Sequence, residues 1–132
     1  MNPFYSIVAE RAGYACEYCR APDAVFNFPL EVDHFVPLSA GGTKDLGNLV
    51  LACRAGNAYK AFHQSGAGEN QNSERLFNPR RDIWEEHFEI DRETFAIMSS
   101  TEVGRGTINR LRINAAPQLK ARRLWNQFGI YP

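Results

Sequence analysis

Four groups of residues have types and spacings that could carry chemistry: Cys16-x-x-Cys19, the adjacent pair Asp33-His34, Asn48, and Cys53-x-x-Gly56-Asn57-x-x-Lys60. Two thiols three positions apart make half of a thiolate metal knuckle or, as the plainer alternative, a buried pair of thiols in a tight turn. The Asp-His pair sets a carboxylate oxygen beside an imidazole, a group whose class titrates at about 6.5 and therefore takes up a proton at cellular pH. Alone, such a pair carries little, because a histidine at a strand end is usually a satisfied structural residue. Its context carries more: it is followed by Pro37-Leu38, Gly41-Gly42-Thr43 and Asp45-Leu46-x-Asn48-Leu49, then by a cysteine just before Asn57-x-x-Lys60.

The elements that must position these groups can be read from the spacing of apolar residues. Asn2, Pro3, Phe4, Ile7 and Val8 with Gly13 predict a capped amphipathic helix over residues 3–12. Cys16 to Cys19 is a tight turn, and alternation over residues 30–36 predicts a strand ended by Pro37. On a regular strand, neighbouring side chains leave on opposite faces, so for Asp33 and His34 to share a site the strand must bend or bulge there. Residues 39–45 read as a loop, 48–53 as a short apolar segment and 57–62 as helical. Residues 64–75, rich in Gly, Asn and Ser and without periodicity, read as a mobile surface loop. Beyond it, residues 84–90 and 94–98 predict a hairpin around Asp91-Arg92-Glu93, which places His87 in a strand as a structural residue. Two helices follow, one carrying Ile108, Leu111 and Ala115, the other capped by Asn114, with Pro117 in its first turn and Gly129 as its stop. Trp84, Phe88, Trp125 and Phe128 are assigned to the core.

With 132 residues, 44% of them hydrophobic, the chain has the composition of one soluble domain. No apolar run approaches the ~20 residues that cross a bilayer, and no leader segment is visible, so no membrane partner is expected. An odd count of three cysteines excludes a complete disulfide framework and favours reduced thiols in the cytoplasm. Fifteen bases balance fifteen acids, but unevenly: residues 82–102 hold seven acids and one base, and residues 104–132 hold six bases and no acid. Such segregation makes either a positive face or two segments that pair with each other.

Residues 9–60 resemble the HNH family of nucleases, through the stretch CEYC…EVDHFVPLSAGGTKDLGNLVLAC…NAYK. Residues 76–88 and 104–114 are similar to the C-terminal extension of a bacterial subfamily of it. The resemblance implies an α+β fold: a ββα-metal core preceded by an N-terminal helix and followed by a C-terminal hairpin plus two helices. It further implies one HNH nuclease domain over residues 1–132, with the core at about 9–63 and the extension at about 76–132. Carried over by position, His34 corresponds to the general base, Asp33 and Asn57 to ligands of one catalytic divalent ion, and Asn48 to the middle residue of the motif. In the chemistry so implied, His34 takes the proton of an attacking water. A hard cation on the two oxygen donors polarises the phosphate, which favours Mg²⁺ or Mn²⁺. Asn48 reads as a structural residue whose amide fixes the loop after the first strand and orients His34.

Many relatives hold a structural Zn²⁺ on four thiolates. This chain offers Cys16, Cys19 and Cys53, with Gly56 at the fourth position, so the zinc site is incomplete. His63 lies seven residues past Gly56, a helical rise of ~10 Å, too far to replace a thiolate easily. The HNH domain of the CRISPR effector nucleases works without zinc, so an incomplete knuckle does not imply loss of activity. The resemblance therefore implies a metal-dependent endonuclease acting on DNA, with 5′-phosphate and 3′-hydroxyl products. Lys60, Arg80, Arg81, Arg105, Arg110 and Arg112 are candidate phosphate contacts, their ordinary alternative being a solvated charged surface. No base-reading helix is evident, so any sequence specificity would come from a protein partner or an assembly. A different class of reading, a nucleic-acid-binding module that keeps the ββα scaffold without catalysis, is favoured by Gly56 alone. A toxin-type nuclease paired with an immunity protein is a more distant possibility, since no translocation segment is visible.

Overall fold

The protein is described by a computed structural model covering residues 2–132. It is a mixed α+β structure of five helices and three two-stranded antiparallel sheets. Helix α1 spans Tyr5–Arg11, within the predicted 3–12, with Pro3 and Phe4 forming the turn into it. The Oδ1 of Asn2 accepts from the Phe4 amide at 2.7 Å, and left-handed Gly13 closes the other end as the Tyr14 amide reaches Ala9 O at 2.9 Å.

The central unit is β1 (Glu31–His34), β2 (Leu49–Ala52) and α2 (Arg54–Lys60). An unbroken apolar run makes β2 buried along its whole length, with α1 packed against it and β1 paired in register from Glu31↔Ala52 to His34↔Leu49. Past His34 the pairing passes to Asn48. Its carbonyl accepts from the Phe35 amide at 2.9 Å and its Oδ1 from the Val36 amide at 2.9 Å. Pro37, which has no amide hydrogen, then ends the ladder. Helix α2 begins three residues earlier than its composition suggested, because the Sγ of Cys53 caps it by accepting from the Gly56 amide at 3.3 Å.

Residues 64–75 are not a mobile loop. They form a hairpin, β3 (Ser65–Ala67) with β4 (Ser73–Arg75), packed on α4 (Glu102–Leu111). Gly66 and Gly106 allow a strand and a helix to meet backbone to backbone: a Cβ on Gly66 would stand 2.0 Å from Gly106 O. The glycines that read as flexibility are there for close approach.

Residues 84–90 divide differently from the predicted strand. Trp84–His87 is a helical turn, α3, and places His87 outside any strand; only Glu89–Ile90 (β5) pairs with Ile97–Met98 (β6). The intervening turn is fixed by Asp91, whose Oδ1 accepts from the amides of Glu93 and Thr94 at 2.8 and 3.0 Å. Helix α4 is capped by Thr101 Oγ1, and α5 (Ala116–Gln127) starts after Ala115 rather than after an Asn114 cap. Asn114 instead grips both backbone groups of Ile97 at 2.9 and 2.8 Å. Phe88 is buried, and Trp84 and Trp125 pack against the core. Phe128, by contrast, is 78% exposed, since α5 ends one residue earlier and the left-handed Gly129 turns the chain away.

Candidate active site and thiol cluster

Alternation along β1 sends Glu31 and Asp33 to the face covered by α2, where Asn57 and Lys60 stand one helical turn apart. The Nδ2 of Asn57 donates to Glu31 Oε1 at 2.6 Å. Because a carboxylate only accepts, this contact fixes the amide, commits its nitrogen and leaves Asn57 Oδ1 free as an oxygen donor. Lys60 is fully buried; its Nζ lies 3.1 Å from Asp33 Oδ2 and donates to Phe35 O at 3.0 Å. The ammonium approaches Asp33 Oδ2 off the line of a hydrogen bond, so this buried oxygen has a counter-charge but no aligned donor. Burial pushes the Asp33 carboxyl above the usual carboxylate range, with Lys60 and His34 pulling the other way. An orphaned carboxylate oxygen, a free amide oxygen and a second carboxylate within one face form a donor set that fits a hard divalent cation. Glu31 escaped the sequence reading, although Glu31-x-Asp33 carries its signal: two acids two apart on a strand share a face.

The predicted bend at Asp33-His34 is absent. The register of β1 against fully buried β2 is unbroken through His34, and the interruption at Pro37 comes three residues later. His34 therefore leaves the strand on the side opposite Asp33, at the last strand position. Its ring is partly exposed and makes no hydrogen bond among the described residues. Asn48 grips the loop behind it, donating through Nδ2 to Val36 O at 3.0 Å and Thr43 O at 2.8 Å.

The three thiols converge. The sulfurs of Cys16, Cys19 and Cys53 lie within 4.8 Å of one another, all buried and none in a disulfide. Cys19 and Cys53 approach to 3.8 Å. Burial raises thiol pKa values, yet hydrogen bonds from the two neighbours hold Cys16 well below the ordinary range; its counterpart Cys53 is pushed up to about 12. Three buried thiols within 4.8 Å form a candidate metal site one ligand short of a tetrahedron, and a bound soft cation would have to displace the protons of Cys19 and Cys53, whose thiols their neighbours push up. Gly56 marks the missing corner, for a Cβ built there would sit 3.5 Å from Cys53 Sγ. His63 is not part of the cluster.

Of the predicted phosphate contacts, two are internal. Lys60 has no exposed surface. The Arg80 guanidinium is mostly buried against the Glu17 carboxylate, whose other oxygen accepts from the Leu51 amide at 2.8 Å. Arg105 is held by Glu102 at 2.5 Å and donates to Ser99 O at 2.9 Å. Arg81 is exposed and without an ion pair among the described residues, Arg110 donates through Nε to Ser65 O at 2.8 Å, and Arg112 lies over the Tyr59 ring at 4.8 Å. No ion pair among the described residues joins the basic segment 104–132 to the acids at 82–93; these pair instead with Arg75 and Arg20.

A family model described as HNH endonuclease matches residues 16–60, from the first thiol of the cluster to the last residue of α2. No curated protein and no solved structure matches the chain.

Proposed function

We propose that this chain, whose residues 16–60 carry an HNH endonuclease domain, is a metal-dependent endonuclease that hydrolyses phosphodiester bonds in DNA. One observation carries the reading. The face of β1 that α2 covers carries both acids: Glu31 holds the Asn57 amide at 2.6 Å, and the Asp33 Oδ2, 3.1 Å from the Lys60 ammonium, has a counter-charge but no aligned hydrogen bond. Mg²⁺ or Mn²⁺, held by Asp33 and Asn57, would supply Lewis-acid polarisation of the phosphate and stabilise the leaving oxygen. Glu31 orients the Asn57 amide. Lys60 keeps Asp33 in place by its charge, and Asn48 fixes the loop that follows His34. His34, at the end of β1 with a ring open to solvent, accepts the proton of the attacking water. The phosphate then lies across the strand end, with the oxygen donors on one side and the imidazole on the other.

We take residues 1–132 as one nuclease unit, core 9–63 and extension 76–132, because α4 packs on both α2 and β3. No helix among the described residues is long and apolar enough to cross a membrane, and three free thiols suit the reducing cytoplasm we propose as its setting. A second reading, nucleic-acid binding without catalysis, is favoured by the opposite-face placement of His34. Supercoiled plasmid incubated with Mg²⁺, Mn²⁺, Zn²⁺ or EDTA separates the two. Cleavage that needs a divalent ion and drops at least ~100-fold in His34→Ala and in Asp33→Ala supports the enzyme. Cleavage undiminished in His34→Ala removes that residue as the base, and no cleavage under any ion leaves the binding module.

A further inference from the structure

Immediately after Lys60 the chain leaves α2 through Ala61 at φ 47, ψ −128, a backbone conformation that L residues with a Cβ seldom adopt. The kink throws Phe62 outward. Its side chain is 68% exposed and stacks on His63, with ring centroids 4.7 Å apart and planes at 29°. Beside this pair lies a cavity of about 360 Å³ lined by Tyr59, His63, Ala67, Asn109, Arg110 and Arg112. Tyr59 is half-exposed under the Arg112 guanidinium, and Arg110 uses only its Nε on Ser65 O, leaving its terminal nitrogens available. Three aromatic rings and two guanidinium groups thus share one surface, and no carboxylate lines the cavity.

Strain that exposes an aromatic ring is retained where the ring has something to bind. The charge disfavours a cationic partner and fits phosphates, while flat exposed rings fit the π-face of a base. In an intact duplex those faces are hidden by neighbouring pairs, so a stacking surface selects nucleotides that are already unpaired. We propose that Phe62 and His63, with Tyr59, Arg110 and Arg112, form a platform for an unpaired nucleotide, so that the substrate is nucleic acid with a single-stranded segment beside the cut. This rests on the nuclease reading for its relation to cleavage, because the platform continues directly from the helix that carries Asn57. The binding itself does not depend on that reading.

The test is fluorescence anisotropy in EDTA, with a labelled oligothymidylate and a blunt duplex of equal length, so that catalysis plays no part. The intact protein should bind the single strand at least ~10-fold more tightly than the duplex. Phe62→Ala should weaken single-strand binding by about 5- to 150-fold, the range of one lost base stack, with little change for the duplex. Phe62→Trp should retain it, and thermal melting of each variant reports whether the fold is intact. Arg112→Gln should lower the salt slope for the single strand by about 0.7. Equal affinity for the two nucleic acids, or an unchanged Phe62→Ala, overturns the platform. Failure of the nuclease reading shows separately, as the absence of metal-dependent plasmid cleavage while single-strand binding and its Phe62 dependence persist.

Discussion

An ammonium group with no exposed surface, 3.1 Å from a carboxylate, puts Lys60 where it neutralises the charge that a divalent ion would otherwise meet. Removing one partner of a buried pair costs about 3–5 kcal/mol, since the other charge is left desolvated and alone. Lys60→Met should therefore lower the urea-derived stability of the metal-free protein by about that amount, and added Mn²⁺ should raise its melting temperature more than that of the parent. Asp33 adds a pH signature. Its folded pKa is raised above 3.8 by burial, so its favourable contribution is complete below 3.8 and is drawn down as pH rises through the folded value. The ionised carboxylate formed in that window is also the form that binds a cation. Melting curves with and without Mn²⁺ should separate progressively as pH rises above 3.8, and Asp33→Asn should abolish the separation. The convergence of the three thiols was legible in the sequence, because their order along the chain is informative. The burial of Lys60 was not, because lysine is ordinarily exposed, and the partners that hold it inside, the Phe35 carbonyl and ring and the Asp33 carboxylate, come from β1 and the residue after it.

At the scale of elements, α2 joins the two candidate metal centres: its N-cap is the thiol of Cys53, and its next turn carries Asn57. Gly56 lies between them with room for a side chain, its built Cβ in ordinary contact at 3.5 Å from Cys53 Sγ and 3.9 Å from Leu111. Gly56→Cys should complete a four-thiolate site, bringing bound zinc close to one equivalent per chain by mass spectrometry under native conditions and raising the melting temperature. A variant that binds no more zinc than the parent would show that the thiol cluster is a packing feature. The β3–β4 hairpin makes a contrary point. Gly66→Ala would force a Cβ to 2.0 Å from Gly106 O, and hydrogen exchange should show residues 65–75 losing protection while β1 and β2 keep theirs. Strand β1 and the two last helices were legible from alternation and periodicity, and the segment that becomes β2 was legible as an apolar run, though not as a strand. The hairpin was not, because its signal is the absence of side chains at a close contact, and in a sequence that looks the same as a flexible stretch.

At the scale of the whole molecule, buried polar ties hold the extension together internally and, through Tyr131, fasten it to the core. Arg122, almost wholly buried, donates to Phe95 O at 2.7 Å and to Ile113 O at 2.9 Å, so a base counted toward a positive tail is an internal clamp. Thr107 Oγ1 accepts from the Phe77 amide at 2.8 Å. Burial pushes the Tyr131 phenol up, so it remains a hydroxyl donor, and it donates to Cys19 O at 2.9 Å. Tyr131→Phe should cost about 1 kcal/mol in chemical denaturation, the net worth of one such bond. That bond spans 112 residues. At a synthesis rate of roughly 5–20 residues per second, Tyr131 is added several seconds or more after Cys19. Until then the backbone that carries the second thiol lacks its last tether. On the ribosome, the loop between the first two thiols thus waits for a residue made 112 positions later to hold its Cys19 carbonyl.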